Sequence, residues 1–324
     1  MRLRSTVGAL VALLTVLALS GSALAQTDIK ASKQAPALTE LKMGVFPAAD
    51  YAPLFVGFKR GIFKKHGLDI KVQYIFTGTG LMSGLTSGAL DLATNSTTAG
   101  ATGIANGLPV KVIALSALTP TKGYIDVLVR RDSSIRGWAD LEGKTVATIN
   151  LQGQFHMLVN QAIEKRGGDP SRMRALPMSP ADEPAALAAG RVDAIVMQDP
   201  TLTQAKSQHD FRSLGNPTAL LSYPLPSGAI YSSNDTIAKK PAVLRRFRTA
   251  WREAVAVAKR NPKLSRQTII KFTGISNETA AKVTLPDFSA DLSPRGVGPM
   301  LLQMKKYGWV SQVPAFNQIS WNGK

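Results

Sequence analysis

Apolar and polar positions follow two rhythms along the chain, and together they predict alternating strands and helices. Short apolar runs, such as residues 41–45, have the length and composition of buried strands. Segment 52–65 has Pro53 in its first turn and Gly67 beyond its end, which is typical of a helix. Further strands are predicted at 70–76, 90–94 and 110–115, and helices at 81–87 and 97–106. This alternation predicts a mostly parallel sheet with helices on both faces.

A similar series restarts near Gly143. Strands are predicted at 145–149, 174–178 and 194–197, and helices at 154–166 and 185–189. The run LTSGALD at 85–91 parallels LAAGRVD at 187–193, so each unit has a helix ending at glycine and a strand opening around aspartate. We expect Asp91 and Asp193 to bind nearby backbone. Helices are predicted at 235–239, 243–260, 265–272, 278–283 and 298–307, which gives a duplicated α/β unit followed by a helical tail.

The first 25 residues predict a secretory signal peptide. Arg2 and Arg4 precede an uncharged stretch at 7–19, which is shorter than the ~20 residues that span a bilayer. Ala23 and Ala25 form the small-x-small pattern of a cleavage site, so we expect cleavage after Ala25 and a flexible leader at 26–40.

Composition excludes several classes of protein. The 324 residues suggest two domains, and the absence of cysteine excludes disulfides, thiolate metal sites and a cysteine nucleophile. The net charge is +18, with its densest basic group on the predicted helix 243–260. The apolar residues Leu244, Phe247 and Trp251 share one side of that helix, which favours a solvated basic face opposite them. Attraction to an anionic membrane surface or an acidic partner remains an alternative.

Small, neutral, polar residues follow five of the predicted strands. Ligands of open parallel sheets bind beyond the carboxyl ends of the strands, and three of these runs directly precede helices whose free N–H groups suit an oxyanion. An alternative to ligand binding is that Thr79 and Thr97 only cap their helices and that Gly78 only forms part of a turn. The candidate ligand-binding residues are Ala48, Asp50, Tyr51, Thr77, Gly78, Thr79, Asn95, Ser96, Thr97, Asn150, Gln152, Gln154, Phe155, Gln198 and Asp199.

Catalytic and metal chemistry have little support in the sequence. His66, His156 and His209 lie far apart without metal-ligand spacing, although His156 falls in the first turn of a helix facing the predicted site. No nucleophile elbow or P-loop occurs, and Asp50 and Asp199 are weak candidates for acid–base work. We therefore predict no enzyme activity, no metal and no cofactor.

Residues 52–70 resemble the opening of nitrate/sulfonate/taurine-type periplasmic binding proteins of ABC importers. Further matches lie at 85–91, 109–114, 135–144 and 187–193, so the resemblance covers residues 41–200. It implies a type II periplasmic binding protein of the thiamin-pyrimidine-synthase-like branch, with two doubly wound α/β lobes joined by two crossovers at 121–127 and 222–228. Lobe one would comprise 41–125 plus 226–324, with the helical C-terminal segment packed on it, and lobe two 126–225.

The same resemblance implies a function and a cellular location. A periplasmic monomer would close on a small molecule between its lobes and deliver it to an ABC permease in the inner membrane, with no nucleic-acid partner. Family ligand positions fall on the loops 48–51, 77–79, 95–98, 150–155 and 198–199. Nitrate, an alkylsulfonate or an aromatic carboxylate would suit helix N-termini, whereas a clamped dianion such as sulfate would lack Arg or Lys partners in these loops.

Two rival functions are compatible with the same resemblance. Thiamin-pyrimidine synthases and aromatic desulfinases of this fold depend on cysteine, which this chain lacks, so the rival enzyme would be a cysteine-free relative of the thiamin-pyrimidine synthase branch. A sensor that presents ligand to a membrane receptor remains an alternative to import.

Three of the candidate residues have more specific expected roles. Tyr51 and Phe155 would either stack on a ring of the ligand or pack within the lobes. We expect the hydroxyl of Thr97 to hold the ligand.

Overall fold

Two five-stranded sheets with their flanking helices form most of the described protein. The computed structural model describes residues 37–323, so the predicted signal peptide and most of the predicted leader lie outside the described residues. We call the first sheet with its helices lobe one and the second lobe two. Among residues 37–323, no helix has the length and apolar character needed to cross a membrane.

The chain forms lobe one, then lobe two, and then returns to lobe one. Lobe one opens with β1 (Thr39–Val45), α1 (Ala52–Lys59), α2 (Ile62–Lys65), β2 (Leu68–Tyr74), α3 (Gly78–Thr86), β3 (Leu92–Ser96), α4 (Thr97–Ala105), β4 (Val110–Leu115) and β5 (Ala117–Leu118). Lobe two contains β6 (Ile125–Arg130), β7 (Thr145–Thr148), α5 (Gln154–Lys165), β8 (Arg174–Pro177), α6 (Glu183–Ala188), β9 (Ala194–Gln198), α7 (Thr201–Gln208) and β10 (Phe211–Gly215). The returning part contains β11 (Gly228–Ser233), α8 (Asn234–Lys239), α9 (Pro241–Arg260), α10 (Pro262–Thr273), α11 (Asn277–Lys282), β12 (Asp287–Phe288), α12 (Pro294–Lys306) and α13 (Phe316–Ile319).

Each main sheet is parallel except for one strand. The strand orders are β2-β1-β3-β11-β4 and β10-β6-β9-β7-β8, and the antiparallel strands are β11 and β6. Each of these is the first strand after the chain crosses from the other lobe. The sequence pattern did not predict β6 or β11, because strands that return from a crossover interrupt the strand–helix alternation on which the prediction relied; β10, which follows α7 within lobe two, was missed as well.

The predicted helix at 52–65 is wrong as a single element. The structure ends α1 at Lys59 and starts α2 at Ile62, and Gly61 between them has a φ of 66°. A residue in this left-handed conformation ends a helix, and glycine adopts it without a steric penalty. The helix predicted at 81–87 is also longer than expected, because α3 begins at Gly78.

The internal repeat has the same hydrogen bonds in both lobes. The Asp91 carboxylate accepts from the Lys42 N–H at 2.9 Å, and the Asp193 carboxylate accepts from the Thr145 N–H at 2.8 Å. Gly88 and Gly190 precede them with φ values of 76° and 71°. The prediction that both aspartates bind nearby backbone is confirmed, and each carboxylate joins the start of its strand to a neighbouring strand of the same sheet.

The apolar side of α9 packs into the core of lobe one, as its periodicity predicts. Leu244, Phe247 and Trp251 are fully buried there, and the indole N–H of Trp251 donates to the Leu115 carbonyl at 2.7 Å. Burying large apolar side chains of this kind stabilises a fold by roughly 1.5–3 kcal/mol each. The basic side of α9 is thereby left facing away from the core.

Candidate functional site

The five predicted loops follow β1, β2, β3, β7 and β9, at the carboxyl ends of parallel strands. The first three belong to lobe one and the last two to lobe two. The lobes meet near this edge, because α4 contacts α5 and the Gln154 side-chain amide donates to the Thr119 hydroxyl at 2.9 Å. Thr119 stands two residues before the first crossover, so the loops of both lobes gather beside the connection between them.

Each of these loops leads into a helix, and the three whose starts were predicted to hold an anion are α3, α4 and α5; the first two carry side-chain caps. The Thr77 hydroxyl accepts from the Gly80 N–H at 3.2 Å to cap α3, and the Ser96 hydroxyl accepts from the Ala99 N–H at 3.1 Å to cap α4. The sequence suggested Thr79 and Thr97 as the cap residues. The first suggestion is therefore wrong by two residues and the second by one residue. Each cap satisfies one N–H of its helix, and the remaining first-turn amides still favour negative charge.

The helix α5 differs because its cap residue is Gly153, which has no side chain to accept a hydrogen bond. A Cβ at this position would lie 1.6 Å from the Asn150 Oδ1, so only glycine leaves space for the Asn150 side chain. No side chain caps the first turn of α5. Among the three helices, α5 therefore offers the most available amide donors for an anion.

Gln152, just before this helix, has a strained backbone. Its φ of 55° is the one left-handed value at a non-glycine residue among residues 37–323. The Gln152 N–H donates to the Nδ1 of His156 at 3.2 Å, and burial lowers the pKa of His156, which favours the neutral ring that can accept this bond. The His156 ring also contacts the Trp309 ring, with centroids 4.9 Å apart. Strain of this kind is concentrated at functional sites and is held by surrounding contacts.

Asp50 lies inside the protein and bonds to both crossovers. Its carboxylate accepts from the Tyr124 hydroxyl at 2.7 Å and from the Ser227 hydroxyl, and its backbone carbonyl accepts from the Ser116 hydroxyl. Burial raises the pKa of Asp50, while the Ser227 and Tyr124 hydrogen bonds oppose that shift. Tyr124 belongs to the first crossover and Ser227 to the second. These bonds make Asp50 a tether between the crossovers, and its contact with a ligand stays a prediction.

Three further predicted residues also form hydrogen bonds within the protein, namely Asp199, Thr97 and Tyr51. The Asp199 carboxylate accepts from the N–H and hydroxyl of Thr203 and from the Thr284 N–H. The Thr97 hydroxyl, predicted to hold the ligand, is buried and donates to the Ser227 carbonyl at 3.1 Å. Tyr51 is buried and donates to the Asn95 carbonyl at 2.9 Å, so it packs within lobe one. These side chains bind protein groups, which gives them structural roles, and their contacts with a ligand stay predictions.

The remaining predicted residues differ in exposure. Thr77, Thr79, Asn150 and Gln152 are exposed, and Gly78, Asn95, Ser96 and Gln198 are partly exposed. Ala48, Gln154 and Phe155 are buried. The Asn95 side chain accepts from the Ser96 N–H at 2.8 Å and donates to the Gly78 carbonyl at 3.4 Å, so it holds the starts of α3 and α4 together.

Two large apolar side chains in these loops were missed. Phe76, directly before Thr77, is 70% exposed, and Leu151, between Asn150 and Gln152, is 54% exposed. The prediction described nearly all residues of the loops as small, neutral and polar and assigned no role to these two, although an apolar residue within a polar loop is itself a signal. They give the loops of each lobe an apolar contact surface.

Glu183 was missed as well. It lies in the loop after β8 and at the start of α6, fully buried, and neither carboxylate oxygen has a hydrogen-bond partner. Burial raises its pKa from the ordinary value of 4.5 to about 8. No pattern at the level of sequence separates Glu183 from an exposed residue in the first turn of a helix, where glutamate is common.

Known proteins share both the sequence family and the fold. The family described as NMT1/THI5 like matches residues 48–265. The putative binding protein YtlA of Bacillus subtilis is 31% identical over 153 residues, which is 47% of this chain and 46% of YtlA, so the match spans about half the length of that relative.

Two solved structures establish the fold. The periplasmic aliphatic sulphonate binding protein SsuA of Escherichia coli superposes with a TM-score of 0.73 at 19% identity, covering 87% of this chain and 92% of SsuA. The periplasmic nitrate-binding protein NrtA of Synechocystis PCC 6803 superposes with a TM-score of 0.68 at 14% identity, covering 87% and 84%. The resemblance indicated by the sequence is confirmed: this chain has the fold of periplasmic binding proteins and belongs to the NMT1/THI5-like family.

Proposed function

We propose that this protein binds a small organic anion between its lobes and delivers it to an ABC import permease, without catalysing a reaction. The observation that carries this proposal is the first turn of α5, which has no side-chain cap and begins among the loops that gather beside the crossovers. Structurally similar proteins whose names give a sulfonate or nitrate as ligand support an anion as the cargo here.

The chemistry of the loops favours a singly charged anion with an apolar part. A helix N-terminus favours an anion by typically 0.3–1 kcal/mol, and hydrogen bonds to charged groups add roughly 1.5–3 kcal/mol each. Two or three such contacts, after the cost of immobilising the ligand, are compatible with roughly micromolar binding. The five loops contain no Lys or Arg to balance a second charge, while Phe76 and Leu151 offer apolar surface to an organic tail.

Gln152 provides the sharpest test of an anion at α5. Aspartate tolerates a left-handed φ comparatively well, so Gln152→Asp places a carboxylate beside the first turn of α5 with little change of backbone. We expect this variant to weaken anion binding about tenfold or more, because like charges some 6 Å apart in partly hydrated surroundings repel by about 1.4 kcal/mol. Gln152→Asn changes the side chain similarly without adding charge and is the matched control.

A thermal-shift screen of alkanesulfonates, nitrate and aromatic carboxylates identifies the ligand, and calorimetry on both variants then measures its affinity. Ligand at about 100 times Kd should stabilise the protein by about 2.7 kcal/mol. Equal affinity of Gln152→Asp and Gln152→Asn for the anion, or tighter binding by Gln152→Asp, would show that the charge of the ligand is not held at α5.

The proposed site of action is the periplasm, and it makes a separate prediction. The exported protein should begin at Gln26, because Ala23 and Ala25 are the small residues that signal peptidase requires. Intact-mass measurement of the protein recovered from the periplasm checks this. Recovery of a periplasmic species that retains Arg2 would contradict it.

We further propose that the protein acts as a monomer and has no nucleic-acid partner.

A further inference from the structure

One helical layer of lobe one has a very uneven charge. The helices α1, α2, α9 and α10 pack against one another, with α9 in contact with each of the other three. Six residues of α9 are Lys or Arg and one, Glu253, is acidic, whereas α10 carries three basic residues and no acidic one. The ends of α1 and α2 add Lys59, Arg60, Lys64 and Lys65 without a carboxylate. We call this surface the basic layer.

Several cations of the basic layer are already engaged within the protein. Arg252 pairs with Asp291 at 2.6 Å, and Lys65 pairs with Glu253 at 2.9 Å. Arg246 donates to the Thr39 hydroxyl at 2.8 Å, and Arg248 lies over the Trp321 ring. These contacts give part of the positive charge a structural role. The cations without such contacts are the ones available to a partner.

Three cations at one corner of the layer have no bonded partner in the described part of the chain. They are Lys59 and Arg60, where α1 ends, and Lys263, where α10 begins. These three, with Asn261, Leu264 and Gln267, line a shallow depression of about 360 Å³. Its lining supplies ammonium, guanidinium and amide donors and includes no carboxylate, which is the donor set that binds a phosphate group.

This corner lies away from the proposed ligand site. The helix α1 follows the loop after β1, which stands at the carboxyl end of that strand, and Lys59 and Arg60 are at the opposite end of α1. A partner on the depression would therefore leave the ligand loops accessible. Phe58, next to Lys59 and 37% exposed, adds an apolar side chain to the same corner.

We propose that the basic layer docks lobe one on an anionic phospholipid surface, with a lipid phosphate group held in the depression by Lys59, Arg60 and Lys263. The combination of clustered cations with an exposed aromatic side chain is typical of proteins that lie on a membrane surface. No aromatic side chain lines the depression, whereas surfaces for single-stranded nucleic acid depend on aromatic stacking. The choice of lipid also rests on the export that the proposed function includes, because an exported protein meets the inner membrane.

Co-sedimentation of the full exported chain with lipid vesicles tests this proposal. One set of vesicles is phosphatidylcholine with about 30% phosphatidylglycerol, and the other is phosphatidylcholine alone, both at about 0.05 M salt. We expect binding to the anionic vesicles only, and its loss at about 0.5 M salt, where charges are screened within a few ångströms. Inorganic phosphate added as a competitor should displace the protein weakly, since a free ion engages the depression but not the rest of the layer.

Charge reversal then locates the surface. The variant K59E/R60E/K263E should lose about a hundredfold or more in vesicle affinity, since each cation near an anionic membrane contributes roughly a factor of five. The matched control is R174E/R191E/K305E, which reverses three exposed cations outside the basic layer and changes the net charge equally. The control should retain binding within about threefold, and both variants should melt like the wild type.

Several results would overturn the proposal. These are equal losses in the two triple variants, equal binding to neutral vesicles, no binding to anionic vesicles at low salt, or tighter binding to single-stranded DNA than to vesicles under the same conditions. Ligand affinity is measured in parallel. Wild-type protein that binds vesicles but no anion would refute the proposed function alone, and protein that binds its anion but no vesicles would refute the membrane contact alone.

Discussion

Replacing Asp50 by alanine should lower the free energy of unfolding by about 3 kcal/mol. The change leaves the buried Tyr124 hydroxyl without its acceptor and the Ser227 hydroxyl with only the Ala117 carbonyl, and it empties the space of the carboxylate; losses of this kind cost roughly 1–3 kcal/mol each. Urea denaturation followed by circular dichroism measures the effect. Because the carboxylate joins the two crossovers, the variant should also bind its ligand with faster dissociation.

Asp50→Asn separates a tether from a ligand contact. Asparagine keeps the shape and an oxygen for the Tyr124 hydroxyl, and the Ser227 hydroxyl can still donate to the Ala117 carbonyl, which lies 3.2 Å away. We expect this variant to lose about 1 kcal/mol or less in stability and to keep ligand affinity within about threefold. A folded Asp50→Asn protein with binding weakened more than tenfold would instead favour a direct contact between Asp50 and the ligand.

Replacing Glu183 by leucine or glutamine should stabilise the protein by about 3 kcal/mol at pH 7. The folded protein keeps the proton on Glu183 up to about pH 8, whereas the unfolded chain releases it above the ordinary pKa of 4.5. The folded state therefore loses stability as pH rises from 4.5 towards 8, by about 1.4 kcal/mol per pH unit. Leucine brings no unpaired polar group into the site, and glutamine keeps the shape of the glutamate side chain. An equal gain in stability in both variants would therefore exclude a change in packing as its cause.

The pH dependence is best measured between pH 6.5 and 8. The wild type should lose about 1.5 kcal/mol over this interval, and both Glu183 variants should lose much less. His156, whose pKa is lowered by burial from the ordinary value of 6.5, changes stability in the opposite direction and mainly below this interval. Glu278→Gln is the matched control, because an ion pair with Lys282 lowers the pKa of Glu278 and its titration is complete at acid pH. Identical slopes in wild type and Glu183→Leu would contradict a buried proton at this residue.

Local signals predicted the elements of this fold better than they predicted the roles of its polar residues. The turn from Gly88 to Asp91 and its copy from Gly190 to Asp193 are short-range features, and both form as expected. Helix caps were close but displaced, because Thr77 and Ser96 compete with neighbouring hydroxyl residues of the same type.

The role of Asp50 could not be found by the same reasoning. Its partners Tyr124 and Ser227 are 74 and 177 residues away in the chain, and only tertiary structure brings them together. Asp199 likewise reaches Thr284, 85 residues away. An aspartate in a loop after a strand looks the same in sequence whether it faces a ligand or an interior hydroxyl. The strained backbone at Gln152 and the steric need for Gly153 were equally invisible without coordinates.

The position of β11 determines the order in which the sheets can be completed during synthesis. All strands of the second sheet lie between Ile125 and Gly215, so that sheet is available as soon as this stretch has emerged. The first sheet must wait for Gly228–Ser233, which fills the gap between β3 and β4. Until then the early strands have an open edge, and open edges recruit other chains. The part of the first sheet that is synthesised first is therefore completed last, and its strand edges stay unpaired during that interval.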